Sequence, residues 1–380
     1  MRITDYELFA VRPRWLFTRL ETEDGLVGWG EHVTVGGGSV REAVRSLLDG
    51  YLVGEDPTDI EDHWQVMYRG GFYRGGPVLM SAIAGIDQAL WDLKGKQFGA
   101  PVHELLGGKA RDRVRVYTWI GGDRPSDVGA HARERVENGY TAVKMNATEE
   151  LRRLDTPGEI ETARRRVAEV REAVGDEVDV ALDFHGRVAG PMAKRLAAAV
   201  DPHEPLWIEE PVLAEQNDAL GTIAAHTTTP IATGERMYSR YEFKDVLEAG
   251  HVDVLQPDVS HAGGITEVRK IAAMADAYDV ALAPHCPLGP VAFAACLQVD
   301  ACSPNALVQE QSLGIHYNRD VDLYDYLADP GPLEQADGYV AVPEGPGLGI
   351  DLETERFRAL PDGPGERSVW RHEDGSVAEW

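Results

Sequence analysis

The chain has 380 residues and a formal net charge of −27, with 43% hydrophobic and 27% charged residues. This balance is typical of a folded globular protein, and the length suits an α/β barrel of roughly 250 residues plus a smaller domain. The acidic surface repels nucleic acid and anionic membranes, which argues against both as partners. No segment approaches the roughly 20 consecutive apolar residues of a membrane span.

The charge, the N-terminus and the cysteines predict the environment of the protein. Self-repulsion in so acidic a chain has a short range in concentrated salt, which favours a salt-loving host. The N-terminus lacks the apolar core and cleavage site of a signal peptide. The three cysteines cannot build a disulfide framework, so we expect buried thiols, with a nucleophilic Cys286 as the alternative. A cytoplasmic protein is therefore expected.

Residues 1–112 predict a small α+β capping domain. Residues 2–11 and 15–21 alternate apolar and polar side chains, and Asp24-Gly25 forms a hairpin turn into a third strand. Helical patterns follow around 40–50, 58–69 and 78–97. A glycine-rich loop at 69–77 carries two Arg and two aromatic residues, so it is either a connector between helices or a loop that meets an anionic substrate.

Residues 113–320 predict a closed parallel barrel. Short apolar or β-branched runs alternate with helical patterns, which implies parallel strands joined by right-handed crossovers. The eight runs are 113–120, 141–145, 179–184, 206–209, 231–233, 252–256, 280–283 and 306–309. The pattern then fades into Gly- and Pro-rich sequence, so residues 321–380 are expected to pack back on the capping domain.

Reactive side chains stand at the ends of most of these runs. In a parallel barrel the carboxyl ends of the strands form one face, where active sites are built. The residues that the sequence places there are Lys144, Asn146, Asp183, His185, Glu209, Glu235, Asp258, His285 and Glu310.

Three of these carboxylates predict a metal site. Asp183, Glu209 and Glu235 are 26 residues apart in turn, which is one strand–helix unit each. Neighbouring strands lie about 4.8 Å apart, so the three carboxylates can converge on one ion. Without a cation they would repel one another and raise their pKa values. Oxygen ligands without cysteine favour Mg²⁺ over zinc.

Several stretches beyond these carboxylates resemble one family. They are 73–77, 81–92, 182–187, 260–264, 370–374 and 376–380. With the carboxylate spacing they resemble the enolase superfamily, specifically its mandelate racemase subgroup, and the pairing of His185 with His285 is similar to that of its sugar-acid dehydratases. The resemblance implies a modified TIM barrel of (β/α)7β type, a capping domain, bound Mg²⁺ and a homo-oligomer.

The resemblance also implies roles for the remaining side chains. His285 is the base that removes the C2 proton of a sugar acid, with Asp258 hydrogen-bonded behind it. His185 protonates the departing C3 hydroxyl, Glu310 shares a proton with the enediolate, and Lys144 adds positive charge near the carboxylate. The implied reaction converts D-galactonate to a 2-keto-3-deoxy acid, with D-gluconate or another aldonate as the alternative substrate.

Other activities of the superfamily remain open. Racemases of the subgroup carry a second Lys where this chain has Asn146, which disfavours a racemase or epimerase, although His185 offers a replacement base. A fold without turnover would need a broken metal triad or His pair, and both are intact here. Substrate contacts are expected from Asn146, Arg14, Trp15, Tyr73, Arg74 and His316.

Overall fold

The computed structural model describes residues 1–33, 38–360 and 369–379. Residues 361–368 and Trp380 belong to the predicted C-terminal segment and lie outside the described residues. None of the helices within the described ranges combines the length and apolar character needed to cross a lipid bilayer.

The N-terminal part is a small antiparallel sheet covered by helices. Its three strands pair in chain order and are β1 (Ile3–Val11), β2 (Trp15–Thr22) and β3 (Val27–His32). Its helices are α1 (Ser39–Leu47), α2 (Ile60–Arg69), α3 (Pro77–Phe98) and α4 (Val102–Leu105). Most side chains of α3 are buried because the helix lies between this sheet and the rest of the molecule. The predicted α+β character of this part is confirmed.

The strand β3 lies almost in contact with the backbone of α3. A methyl group added at Gly30 would sit 1.8 Å from the carbonyl oxygen of Gly85 on α3. This distance is far inside van der Waals contact, so the close approach requires glycine. The helix and the strand therefore form one rigid corner of the capping domain.

Replacing Gly30 with alanine is expected to destabilise the fold by about 3 kcal/mol, because overpacking against backbone forces β3 away from α3. Gly50→Ala is the matched control, since an added methyl group there meets nothing within 4 Å. Urea denaturation of both variants measures the difference. A Gly30→Ala protein as stable as the Gly50→Ala protein would contradict the tight packing of this corner.

The C-terminal part is a closed parallel barrel. Its strands are β4 (Arg113–Ile120), β5 (Ala142–Asn146), β6 (Asp179–Asp183), β7 (Ile208–Glu209), β8 (Ile231–Thr233), β9 (Val254–Leu255), β10 (Ala281–Leu282) and β11 (Gln309–Glu310). The helices between them are α5 (Val128–Glu137), α6 (Pro157–Val174), α7 (Gly190–Val200), α8 (Leu220–Ala224), α9 (Arg240–Ala249), α10 (Gly264–Ala277) and α11 (Pro290–Cys302). A parallel bridge from Leu282 to Ala306 and the pairing of β11 with β4 close the ring. Strand β11 closes the barrel without a following helix of the ring, so the expected (β/α)7β form is confirmed.

The interior of the barrel is filled by one side chain from each strand or its flank. Two are large, Tyr117 and Trp207, and their rings meet edge to face at 5.7 Å between centroids. The others are small or medium: Ala142, Ala181, Ala232, Val254, Ala283 and Val308. This apolar plug supports the residues at the carboxyl ends of the strands, because Trp207 also donates from Nε1 to Glu209 at 3.1 Å.

The chain beyond the barrel contacts both parts of the molecule. The short strands β12 (Gln335–Ala336) and β13 (Tyr339–Ala341) form a hairpin, and β13 pairs antiparallel with β4. Phe357 packs against Phe9 of β1 with ring centroids 5.1 Å apart. The Trp370 ring lies 4.8 Å from the guanidinium carbons of both Arg124 and Arg187, which follow barrel strands. The capping domain is therefore not the only surface that this tail covers.

Candidate active site

The carboxyl ends of the barrel strands meet at a cavity of about 180 Å³. Its lining consists of Arg14, Trp119, Lys144, Asp183, His185, Glu235, His285, Pro287, Glu310 and Tyr317. A larger cavity of about 610 Å³ lies between the C-terminal tail and the loops after β5, β6 and β7. The described residues that line this larger cavity include none of the predicted catalytic residues, so the smaller cavity is the candidate active site.

An acidic cluster forms the floor of this cavity. Asp183, His185 and Glu235 each present one ligand atom, and these atoms lie within 4.8 Å of one another. Glu209 stands beside Asp183 in the register of β6 and β7. Its Oε1 accepts a hydrogen bond from Lys144 Nζ at 2.8 Å. The structure therefore brings two of the three predicted metal ligands together with His185, and places the third on the adjacent strand.

The chemistry of this cluster fits a hard divalent cation. Burial raises the pKa of Asp183 well above its usual value, and the charge of Glu209 raises it further. Among the described residues, none donates a hydrogen bond to Asp183 Oδ2, although this oxygen is buried. Buried carboxylates without enough donors are stabilised by a cation, and oxygen ligands of this kind suit Mg²⁺.

The imidazole of His285 is held from behind by a carboxylate. His285 Nδ1 lies 2.8 Å from Asp258 Oδ2, and Asp258 Oδ1 accepts the backbone N–H of Ser260 at 2.7 Å. The other ring nitrogen, Nε2, faces the cavity 3.2 Å from Glu235 Oε2. Burial alone lowers the pKa of His285, but Glu235, Glu310 and Asp258 together raise it to about 9. His285 is therefore a strong base, and its Nε2 can take up a proton in the neutral form, in which Nδ1 donates to Asp258.

The imidazole of His185 has the opposite hydrogen-bond polarity. Arg187 Nη2 lies 3.1 Å from His185 Nδ1. Because a guanidinium can only donate, Nδ1 is the acceptor and Nε2 carries the proton. Burial lowers the pKa of His185 to about 3, so the ring is neutral at neutral pH. Its Nε2 lies 3.8 Å from Glu235 Oε1, on the same carboxylate that His285 faces.

A buried lysine links two carboxylates on the opposite wall. Lys144 Nζ lies 2.8 Å from Glu209 Oε1 and 3.1 Å from Glu310 Oε1. Burial lowers the pKa of Lys144, but these carboxylates raise it well above its usual value, so the ammonium group stays charged. Glu310 Oε2 accepts the backbone N–H of Cys286 at 2.8 Å. Burial raises the pKa of the Cys286 thiol, which disfavours a nucleophilic role for this cysteine.

Only part of the predicted substrate-binding set reaches the cavity. Arg14 lines it, donates to the carbonyl of Pro287 at 2.9 Å and lies 4.0 Å from the centre of the Tyr317 ring. Trp15 is buried in the hydrophobic core, where it packs against Phe17 and Tyr326. Tyr73 is 88% exposed, and neither it nor Arg74 belongs to the described lining. The structure therefore does not bring Trp15, Tyr73 or Arg74 to the site.

Asn146 and His316 lie behind the cavity wall rather than in its lining. Asn146 Nδ2 donates to the carbonyls of Gly122 and Asp123, at 3.3 and 3.1 Å. The His316 ring stacks on Trp119 with 5.5 Å between centroids, and its Nε2 lies 3.3 Å from Asp123 Oδ2. Both side chains therefore shape the loop that follows β4.

Four residues of the site are not predicted from the sequence, and one of them is Pro287, which follows His285 by two positions and lines the cavity. Trp119 and Tyr317 line the cavity, and Arg187 holds His185. Trp119 stands at the end of the first barrel strand, so the strand-end rule that identified the other residues also applies to it. Arg187 follows His185 by two positions, but no local pattern shows that its guanidinium turns back onto the ring.

A (β/α)7β barrel with acidic residues at successive strand ends and an α+β capping domain defines an enolase-type protein. Residues 11–107 match the mandelate racemase / muconate lactonizing enzyme N-terminal domain, and residues 127–356 match the enolase C-terminal domain-like family. The chain belongs to this mandelate racemase / muconate lactonizing enzyme family of the enolase superfamily, as its motifs predict.

Named relatives extend over the whole chain. The chain is 56% identical to D-galactonate dehydratase of Ralstonia pickettii (strain 12J) over 384 aligned positions, which cover 100% of both chains. It is 55% identical to D-galactonate dehydratase of Variovorax paradoxus (strain S110), again over 100% of both chains. An enolase structure from Agrobacterium radiobacter with bound sodium and L-malate superposes with a TM-score of 0.89 at 30% identity over 100% of both chains. A mandelate racemase/muconate lactonizing enzyme from Jannaschia sp. CCS1 gives 0.86 at 33% identity, covering 96% of this chain and 99% of that one.

Proposed function

We propose that the protein is a hydro-lyase that dehydrates a sugar acid, with D-galactonate as the substrate, to 2-keto-3-deoxy-D-galactonate. Relatives named D-galactonate dehydratase share 56% and 55% identity with it over the full length. The observation that carries the proposal is the pair of imidazoles around Glu235. In the neutral rings, the contact of Asp258 with His285 Nδ1 leaves a lone pair on His285 Nε2 toward the cavity, whereas the contact of Arg187 with His185 Nδ1 places a proton on His185 Nε2. Loss of water requires one group of each kind.

We further propose that Asp183, Glu209 and Glu235 hold Mg²⁺. Two features support this ligand set: the buried carboxylate oxygens themselves, and the Asp183 Oδ2 to which none of the described residues donates a hydrogen bond. The bound ion supplies positive charge that stabilises an enediolate, whose carboxylate carries two negative charges once the α proton is lost.

In the proposed reaction, His285 Nε2 takes the proton from C2, and the electrons of that bond form the C1–C2 double bond of an enediolate. Asp258 keeps the imidazole oriented and stabilises its charge. The negative charge of the bound substrate favours the imidazolium form of His185. Collapse of the enediolate then breaks the C3–O bond, and the imidazolium gives its Nε2 proton to the leaving oxygen, which yields water and a neutral ring. The resulting enol tautomerises to the 2-keto acid. Lys144 and Glu310 bracket the substrate carboxylate from the opposite wall.

The dehydratase proposal is favoured over racemisation by two contacts. Asn146 is an amide without basicity, and its Nδ2 is bound to the loop after β4. The Arg187 contact keeps His185 as a donor toward the cavity, whereas a second racemase base would have to accept a proton there. A racemase needs a group on the opposite face of C2 that returns a proton in one direction and removes it in the other, and the amide of Asn146 can do neither.

A panel of aldonates tests the proposal. The purified protein with Mg²⁺ in concentrated salt is expected to form 2-keto-3-deoxy acid from D-galactonate, with kcat/KM about 10- to 100-fold above that for the C4 epimer D-gluconate. This ratio corresponds to one or two hydrogen bonds that one epimer makes and the other lacks. A keto-acid assay measures the product, and NMR in D2O measures exchange at C2.

The alternatives predict different results from the same panel. A preference for D-gluconate would replace the substrate but keep the reaction. Deuterium at C2 of the recovered acid without keto product would support a racemase or epimerase. Absence of both products with every acid would overturn the proposed function.

A further inference from the structure

The side chain of Gln88, on α3 of the capping domain, forms hydrogen bonds with the barrel loop that carries Asp258. Gln88 Nε2 donates to Ser260 Oγ at 2.9 Å and to the carbonyl of Val259 at 3.2 Å. The backbone N–H of Ser260 in turn donates to Asp258 Oδ1 at 2.7 Å. Every one of these groups is buried, so water does not compete for the bonds. The position of Asp258 is therefore tied to the capping domain.

Glu31, at the end of β3, accepts hydrogen bonds from the segment that follows His285. Its two carboxylate oxygens accept the backbone N–H groups of Gly289 and Ala292, at 2.7 and 3.0 Å. These residues begin α11, where the helix dipole and unpaired N–H groups favour a negative charge. Burial raises the pKa of Glu31 to about 8, although the N–H groups oppose this shift.

Glu31 and Gln88, which hold these two barrel segments, are also hydrogen-bonded to each other. The backbone N–H of Glu31 donates to Gln88 Oε1 at 3.0 Å, and Gln88 Nε2 also lies 3.2 Å from the carbonyl oxygen of Glu31. The contact of Gly30 with Gly85 fixes the same strand against the same helix. One rigid corner of the capping domain therefore holds both the Asp258 loop and the turn after His285.

We propose that Glu31 and Gln88 are positioning residues for the Asp258–His285 pair. They hold the two barrel segments at the separation that keeps His285 Nδ1 bonded to Asp258 Oδ2, while neither belongs to the described lining of the cavity. The catalytic part of this inference rests on the proposed function, in which His285 is the base. Small errors in the placement of a catalytic group reduce rates strongly, by about 100-fold for an error near 1 Å.

Two variants of the corner and one matched control test the proposal. Glu31→Gln replaces one acceptor oxygen by a donor, and Gln88→Met keeps the volume but removes the amide. Asp92→Asn is the control, because Asp92 is also a buried carboxylate of the capping domain that accepts two backbone N–H groups. Those donors are Trp29 and Leu348, both at 2.9 Å, and neither belongs to the segments around Asp258 and His285.

Glu31→Gln and Gln88→Met are expected to lower kcat for D-galactonate by about 10- to 100-fold and to leave KM within about threefold. The deuterium isotope effect on kcat with C2-deuterated substrate is expected to rise, because proton removal becomes slower than the other steps. Asp92→Asn is expected to lower the melting temperature but keep kcat. If the corner variants lose thermal stability and retain wild-type kcat and isotope effect, the residues are merely structural and the proposal is wrong.

A readout that needs no substrate separates this proposal from the proposed function. The imidazole proton between His285 Nδ1 and Asp258 gives a low-field proton NMR resonance, assigned by its loss in His285→Asn. We expect it in the wild type and in Asp92→Asn, and expect it broadened or lost in Glu31→Gln and Gln88→Met. Its persistence in both corner variants would overturn the positioning role. A wild type that dehydrates no aldonate would overturn the function, while this resonance would still decide the positioning role.

Discussion

Replacing His285 with asparagine is expected to lower the rate of 2-keto acid formation by about 1,000-fold, within the range of about 100- to 10,000-fold that general base catalysis contributes. Asparagine keeps a polar side chain of similar reach but cannot take up the C2 proton. Exchange of C2 hydrogen for deuterium in D2O is expected to fall in parallel, because both processes require the same proton transfer. Steady-state kinetics and NMR of the recovered acid measure the two rates.

Asp258→Asn is the companion variant. It leaves the His285 imidazole in place but removes the charge 2.8 Å behind it, so a smaller loss of rate is expected. Circular dichroism and Mg²⁺ titration serve as controls that both variants fold and bind the ion. A His285→Asn protein with wild-type activity would refute the assignment of the base.

Replacing Glu235 with glutamine is expected to abolish tight Mg²⁺ binding and to reduce activity by at least about 100-fold. Removal of the metal by a chelator is expected to reduce the activity of the wild type to a similar extent. Glu235 faces both imidazoles and lies within the acidic cluster that Asp183 completes. Loss of a charged ligand weakens the binding of a cation more than loss of a hydrogen bond to a ligand, and the latter alone lowers metal affinity by about 10- to 100-fold. Isothermal titration with Mg²⁺ measures the binding.

The control for this variant is Glu267→Gln. Glu267 is also a buried glutamate, but its partner is Arg240 on α9, and it does not line the cavity. We expect Glu267→Gln to lose stability while it retains Mg²⁺ affinity and kcat per folded molecule. Activity of the wild type that survives exhaustive chelation, or a Glu235→Gln protein with unchanged Mg²⁺ affinity, would contradict the proposed metal site.

The barrel follows from the sequence because alternation of buried runs with helical patterns is a property of the whole unit. The boundaries of the individual strands are predicted less accurately, and residues 252–256 and 306–309 show the reason. The predicted runs follow the apolar residues, whereas the structure assigns only Val254–Leu255 and Gln309–Glu310 as strands. Val252 and Val308 are buried although they lie outside these paired residues, because the apolar side chains inside the barrel and the outer helices cover them.

The site separates into a predictable and an unpredictable part for a similar reason. Residues such as Asp183 and His285 stand at strand ends, and strand order alone places them on one face. Tyr317 reaches the cavity, and Arg187 reaches His185, from loops, whose paths carry no period that a sequence reveals. Tyr73 shows the converse, since a loop composition suited to anion binding lies on a surface away from the cavity.

The contact between Gly30 and Gly85 limits how the capping domain can be replaced by that of a relative with a different substrate preference. Since this corner also bonds to the segments around Asp258 and after His285, a capping domain transplanted alone would bring foreign partners to both. We therefore expect a functional chimera to take four segments from the same parent protein: residues 28–31, 85–88, 258–260 and 289–292. We expect single substitutions at Trp119 and Tyr317, which line the cavity and lie outside these four segments, to be less constrained.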